Sequence, residues 1–530
     1  MNEECKLEKR RPEAGAALLI AIFALLLISV VAIALVVSQG TDSALTGNYR
    51  TSTSAYYAGI AGLEEGRGRL LMKNANYLNI SGRYPGLFTP GGAPSFGLKD
   101  VLYIINPASG EAVDPTSANP AQYPDNEYQT EFTWALSAAN VYPVDSVFPV
   151  AGLPGPLYKW VRITPATEQS LSPPLGIDVD WNGYIDNGTT LNYDPANQAA
   201  SGALQPGLIV GSTPTSGQAL EVTALAVLPN NTQKLVQYLV APLYYGVSIP
   251  ATLILSSSGT ASPGIIFQVP TSASTPTFFI NGNDGSGPNS AAPNCTPTAI
   301  PTWAIGVTDM LSPPADYNVI QNAITALPSA LQADYTGETH RHRRHMTSLS
   351  VEDQIPLSPV MMSPTNPSDP TNLNEMVQTI SQNADLVLNR NASDSDMPAA
   401  MSATNPMTVV VNGNLTLTNF TGYGLLVVTG NFVSNPNAGW RGVVLVVGAG
   451  NVTFTGGPGS GNGEYDGGIF VAQTLDWTVS PPVQLANMGT ASFDASNAGG
   501  NGIFYNSCWI NAALQPPTFQ VLSFREIPTN

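Results

Sequence analysis

The chain has 530 residues, more than one hydrophobic core ordinarily organises, so two or three domains are expected. Only 11% of residues are charged against 43% hydrophobic, and the 49 glycines and 45 prolines favour many short strands joined by turns over helix bundles. A formal net charge of −18 excludes a surface that gathers phosphate backbones, so nucleic acid is not an expected partner.

Lys6, Lys9, Arg10 and Arg11 precede an uncharged apolar run from Ala14 to Val37. At about 1.5 Å per residue, such a run crosses a hydrocarbon core of about 30 Å. The basic residues ahead of it favour a cytoplasmic leader and an exported remainder, hence a single-pass membrane protein. A secretory signal peptide has a shorter apolar run ending at a small-residue cleavage site. Here the apolar run leads into SQGTDSALTGNYRTSTSAYYAGIAGLEEGRGRLL, where Leu45, Tyr49, Tyr56, Tyr57, Ile60, Leu63 and Leu70 recur at roughly helical intervals. The helix is therefore expected to continue beyond the membrane, to about residue 72.

The leader and RRPEAGAALLIAIFALL, followed by TGNYRTSTSAYYAGIAGLEEG, resemble the PilX-type N-terminal domain of type IV pilus minor pilins over roughly residues 8–72. This resemblance implies that a prepilin peptidase cuts after Gly15 and leaves Ala16 as the mature, methylated N-terminus. Residues 1–15 would then be the leader and 16–72 a pilin-like helix, transmembrane over about 16–38. It also implies other pilins or pseudopilins as partners through that helix, besides the peptidase and the inner membrane. Two positions depart from the family pattern: Ile20 stands where major pilins carry a glutamate, and Gly59-Ile60 replaces an Ala-Glu pair. A carboxylate within a helix bundle is costly unless a neighbour's terminal amine pairs with it, so its absence suits a subunit at a filament tip. The large tip pseudopilin of type II secretion shares that feature.

Residues 73–250 read as a β-rich pilin-like domain, with strands expected at VLYII (Val101 to Ile105), KWVRIT (Lys159 to Thr164), LEVTALAVL (Leu220 to Leu228) and KLVQYLVAPL (Lys234 to Leu243). Within it, Asp178, Asp180, Asn182, Tyr184 and Asp186 place oxygens at alternating positions around Gly183, as in a calcium loop, with Tyr184 offering its backbone carbonyl. Thr189 occupies the position where such a loop carries a bidentate glutamate, so a strong ligand is missing unless another segment supplies it. An Asx-rich turn is the other reading. No cofactor is required by either, and calcium is the one ion that the pattern suggests.

Residues 251–370 are rich in Ser, Thr, Pro and Asn, with ATLILS and GIIFQV as their apolar runs, and are expected to form a loop-rich insertion or linker. They contain His340, His342 and His345 interleaved with arginines that repel a cation, which favours a solvated basic loop over a metal site. Residues 371–530 open with an amphipathic helix presenting Leu373, Met376, Val377, Ile380, Ala384 and Leu388 on one face. Gly413-Asn414, Gly430-Asn431 and Gly450-Asn451 then recur at spacings of 17 and 20 residues between GLLVV, GVVLVV and GGIFVA. That spacing fits coils of a short parallel β-solenoid, and hairpins are the competing arrangement.

Cys295 and Cys508 both follow the apolar run and are candidates for a disulfide in an oxidising compartment. Polysaccharide chemistry on a β-helix needs paired carboxylates at a controlled separation, or calcium with a basic residue, and the only alternating pair in the repeats, Glu464 and Asp466, lies in GSGNGEYDGG, where solvated turn acids explain it. The expected fold class is thus α+β, mainly β: a long N-terminal helix and a β-rich region ending in a short parallel solenoid. The expected role is that of a non-enzymatic minor pilin-like component in filament assembly or surface attachment. The alternative is a membrane-tethered adhesin, or a carbohydrate-binding or carbohydrate-processing β-helix.

Overall fold

A computed structural model describes residues 13–71, 74, 77, 78, 94–131, 141–145, 157–194, 207–257, 264–308, 315–346, 350–352 and 369–528, apart from short stretches inside several of these ranges. The protein is α+β and mainly β. Helix α1 (Glu13–Arg69) is continuous over 57 residues. Large apolar side chains between Leu18 and Val37 are 50–69% exposed, whereas Ala55, Leu63 and Leu70 at its far end are buried. The helix thus has a bare apolar half and a packed half.

The packed half lies across a mixed sheet whose described strands run in the order 141–145, 101–105, 158–165, 220–227, 233–242 and 519–527. All four strands expected in this region are present. Leu63 and Leu70 join Leu102, Val161, Ile163, Val222, Ala224 and Val236 in one core. Close approach depends on glycines that share one helix face. A Cβ on Gly66 would stand 2.9 Å from methyls of both Val161 and Val222, and one on Gly62 3.0 Å from Ala224 and Tyr158. Replacing Gly66 with leucine overfills this seam and is expected to destabilise the packing by about 2 kcal/mol. Urea unfolding of the detergent-solubilised chain would measure the loss, and an unchanged midpoint would refute the close fit.

The strand Phe519–Ile527 brings the end of the chain back to this first sheet. It pairs antiparallel with Gln233–Pro242, its Phe519 carbonyl accepts from Arg67 Nη1 at 2.8 Å, and Phe524 meets Tyr56 edge to face at 5.9 Å. On the sheet's opposite side the buried Arg162 donates to Asp125 at 2.6 Å and pairs with Glu131, which also pairs with Arg525 of the closing strand. Gln237 bridges Glu131 and Thr223 at 2.8 and 2.9 Å. The network ties the two chain-distant parts of the sheet together.

The remaining β structure is mostly parallel. One sheet aligns Leu386–Leu388, Met407–Val411, Thr421–Val428, Gly439–Gly448 and Tyr465–Gln473, with Val409, Leu426, Val444 and Ile469 in register. A second aligns Ala392–Ser393, Leu415–Leu417, Phe432–Ser434, Asn451–Phe454 and Ala491–Asp494. The chain alternates between the two sheets, and their facing side chains form a common core that includes Leu415, Phe432, Val452 and Phe493. Strands of the longer sheet are buried on their other side too, which is why they read as unbroken apolar runs. That outer side, carrying Val410, Leu425, Val443 and Phe470, packs with Leu373, Met376, Val377 and Ile380 of the helix Pro370–Gln382 and with Ile510 and Ala513 of the helix Ser507–Ala513.

The Gly-Asn pairs stack at the turns. Asn414 Oδ1 accepts from the backbone of Asn431 at 2.8 Å, Asn431 Oδ1 accepts from Asn451 Nδ2 at 2.8 Å, and a Cβ on Gly430 would stand only 2.5 Å from the Gly413 carbonyl oxygen. Glycine lets successive turns approach, and asparagine satisfies their backbone donors.

Two features differ from the sequence expectation. The stretch 251–370 contributes strands to the parallel sheets: Ala251–Ser256 pairs with Tyr465–Gln473 and Trp303–Val307, Phe278–Asn281 with Asn501–Phe504, and Ile265–Gln268 with Ala491–Asp494. Its short apolar runs find partners far along the chain, which composition does not reveal. Ala384 and Leu388, expected on the amphipathic helix, lie beyond it, Leu388 in a strand, because the helix stops at Gln382 with Asn383 as its cap.

Candidate functional site

Gly15 and Ala16, between which the resemblance places a processing cut, lie in the first turn of α1. One window of this helix has mean hydropathy 3.3, and by length and composition α1 is the one described helix able to cross a membrane. Serine and threonine side chains along its exposed part fold back onto helix carbonyls, as Ser29 Oγ does to Leu25 O at 2.8 Å, so the apolar half presents few free donors to its surroundings.

The acidic loop follows the Tyr158–Pro165 strand. Asp178 Oδ2 accepts from the Gly183 backbone at 2.8 Å, Asp180 Oδ1 from Asn182 N at 3.1 Å, and Asn182 Oδ1 from Tyr184 N at 2.8 Å. The side-chain amide of Asn182 donates to Asp180 and Asp186 at 3.1 and 3.2 Å. Gly183 adopts a positive φ of 86°, the conformation that the loop pattern assigns to its glycine.

Glu168, missed from the sequence because it lies ten residues before the loop begins, is the organising residue. It is fully buried, and its two oxygens accept from Val179 N at 2.5 Å and Asp186 N at 2.7 Å. Carboxylate oxygens of Glu168, Asp178 and Asp180 come within 4.8 Å of one another. The strong acid missing at Thr189 thus comes from an earlier segment. Asp186 contributes to the loop's hydrogen bonds rather than to this trio, and Tyr184 projects its ring into solvent.

An all-oxygen trio suits a hard divalent cation such as calcium, and the same hydrogen bonds suit an Asx-rich turn. The two separate by measurement. With a dissociation constant near 1 mM, 10 mM calcium is expected to stabilise the fold by about 1.4 kcal/mol. Thermal unfolding with and without calcium reads this, and Asp180→Asn should remove it. No shift in the unmodified chain leaves the turn as the correct reading.

Cys295 and Cys508 form a disulfide with their Cα atoms 5.8 Å apart, joining a loop before Trp303–Val307 to the helix Ser507–Ala513. Asp284 reinforces that junction by accepting from Thr298 and Ser507, and these donors hold its carboxyl below the usual range despite burial. Of the histidine run, Arg341–His342 and His345–Met346 pair as a short antiparallel hairpin, and His340 lies outside the described residues.

No family model matches the chain, and no curated protein or solved structure is significantly similar to it.

Glu464 and Asp466, expected as solvated turn acids, are instead buried. Glu464 is 5% exposed and Asp466 is fully buried. Glu464 accepts from both nitrogens of Asn289, at 3.0 and 2.5 Å, and Arg441 Nε stands 3.3 Å from Asp466 Oδ2. The glycine-rich context signals a turn, but their burial comes from a loop 175 residues earlier, which no local pattern shows.

Proposed function

We propose that this chain is a membrane-anchored, pilin-like subunit whose β-rich body is exported, and that it acts as a minor, non-enzymatic component in filament assembly or surface attachment. One observation carries the reading: α1 is a single helix with a bare apolar half and a far half seated, through closely packed glycines, on an antiparallel-rich sheet. A bare apolar helix in water is unfavourable by about 25 cal/mol for each Å² of apolar surface, so it belongs in lipid or against other helices. A rigid link from that helix to a folded body suits a subunit that moves from membrane to filament without unfolding. The basic residues ahead of the apolar run support an exported body, as does a disulfide, which persists in oxidising compartments.

The stacked parallel strands, with their Gly-Asn turns, are read here as a short β-solenoid projecting from the pilin-like sheet. Other pilins or pseudopilins are the partners of α1, and a prepilin peptidase is its processing enzyme. Shearing cells that express the chain, and probing the released filaments, separates this reading from a tethered adhesin. A filament subunit appears in the sheared fraction, whereas a tethered adhesin stays with the membranes.

A further inference from the structure

The loop residues 283–293 and 295–298 are closed onto the outer side of the long parallel sheet by several ties. Asn289 binds Glu464 through its backbone and its amide, Asn506 Nδ2 donates to the Ser290 carbonyl at 2.8 Å, and the disulfide pins Cys295 to the helix Ser507–Ala513. Beneath the loop, Tyr423, Arg441 and Asp466 stand in register on three neighbouring strands, with Glu464 two residues before Asp466. A Cβ on Gly287 would overlap Asp466 Oδ1 and stand 2.5 Å from Glu464 Oε1, so the loop backbone rests on both carboxyl groups at once.

We propose that Glu464 and Asp466 form a proton-held latch, which keeps the 283–298 loop shut in acidic surroundings and loosens it as the surroundings become neutral.

The hydrogen-bond inventory supports this. Glu464 is occupied as an acceptor by Asn289, while Asp466 Oδ1 has no hydrogen-bond donor and Oδ2 has only the Arg441 ion pair at 3.3 Å. Asp466 Oδ1 and Glu464 Oε1 both lie against Gly287, and a proton on Asp466 directed at Glu464 turns the unpartnered oxygen into a donor. The charges agree. Arg441 is the cation paired with Asp466, and its guanidinium also lies over the Tyr423 ring, 5.7 Å from the centroid. One guanidinium balances one carboxylate, so the pair holding a single proton is neutral with Arg441, and the fully ionised pair leaves a buried negative charge. Asp284 in the loop stays ionised through its four donors from Thr298 and Ser507, burial pushes the nearby Tyr505 up to about 12, and the Ser507–Ala513 helix brings no other titrating group because its cysteine is bonded. Burial first, and then the Glu464 charge, push Asp466 up to about 8.

The sign follows from linkage. With the loop shut, Asp466 holds its proton up to about pH 8; with the loop open, it titrates as an ordinary carboxyl near about 4. Between those values the closed form binds one more proton. The opening equilibrium therefore rises by up to about tenfold per pH unit across that window and levels off above it.

Hydrogen–deuterium exchange of the full chain in detergent, read on peptides covering 283–298 and corrected for intrinsic exchange, tests this between pH 5 and 9. The expected result is protection that falls by up to about tenfold per unit to about pH 8 and then flattens, while the strand Gly439–Gly448 stays protected throughout. Asp466→Asn, which cannot ionise, should flatten the loop profile, and Glu464→Gln should narrow the sloping window by removing the neighbouring charge. A pH-independent profile in the unmodified chain overturns the proposal whether or not either variant folds. So does an unchanged slope in Asp466→Asn.

Discussion

Removing the disulfide with the paired changes Cys295→Ser and Cys508→Ser is expected to lower stability by about 4–5 kcal/mol, among the largest effects any small change in this chain should produce. The bond spans 213 residues, so it restricts the unfolded chain over a long loop. It also secures the only described helix that brings Trp509 and Cys508, both buried, against the long parallel sheet. Urea unfolding of oxidised wild type and of the double variant, in the same detergent, gives the difference directly. A loss below about 1 kcal/mol would mean that loop closure contributes little, because the unfolded chain stays compact or because the native bond is strained.

The change Arg162→Ala should cost about 3–5 kcal/mol, because it strands buried carboxylates. Arg162 is fully buried, and its guanidinium serves Asp125, Glu131 and Thr223 from the middle of the first sheet. Glu131 also holds Arg525, so the loss should spread to the closing strand Phe519–Ile527 and appear as faster amide exchange there. A variant that loses less than 1 kcal/mol and keeps that strand protected would show that solvent reaches the acids. A further acid on the same sheet, Glu221, adds a pH dependence. Burial pushes its carboxyl up to about 7 against the opposing Arg525 and Arg162 charges. The folded state therefore holds a proton that the unfolded chain releases, and this contribution is complete below about pH 4.5 and fades as pH rises towards 7.

Much of the fold was legible from local pattern. The apolar run of α1 needs only composition, and the strands at Val101–Ile105, Tyr158–Pro165, Leu220–Val227 and Gln233–Pro242 announce themselves through β-branched residues bounded by turns. The Gly-Asn recurrence was legible because stacked turns need glycine for clearance and asparagine for backbone donors. What escaped the sequence depends on partners distant along the chain. Leu253 finds Ile469, and Phe524 finds Tyr238, and neither short segment carries a sign of its neighbour. The acidic loop was legible except for Glu168, whose role arises only when its turn folds beneath Asp178. The burial of Glu464 and Asp466 escapes the sequence for the same reason: a glycine-rich stretch looks exposed until another loop covers it. The stripe Gly59, Gly62 and Gly66 has a packing reason that the sequence does not show, since Gly59 faces Val236 where a Cβ would stand 2.6 Å from its methyl.

The N-terminal mass of the full chain, expressed with and without a prepilin peptidase, tests the central claim most directly. The pilin-like reading predicts that Ala16 becomes the N-terminus only when the peptidase is present, and that a bulky replacement of Gly15 blocks the cut. Met1 persisting in both cells would contradict it, leaving α1 an ordinary anchor and the β-rich body a tethered surface module.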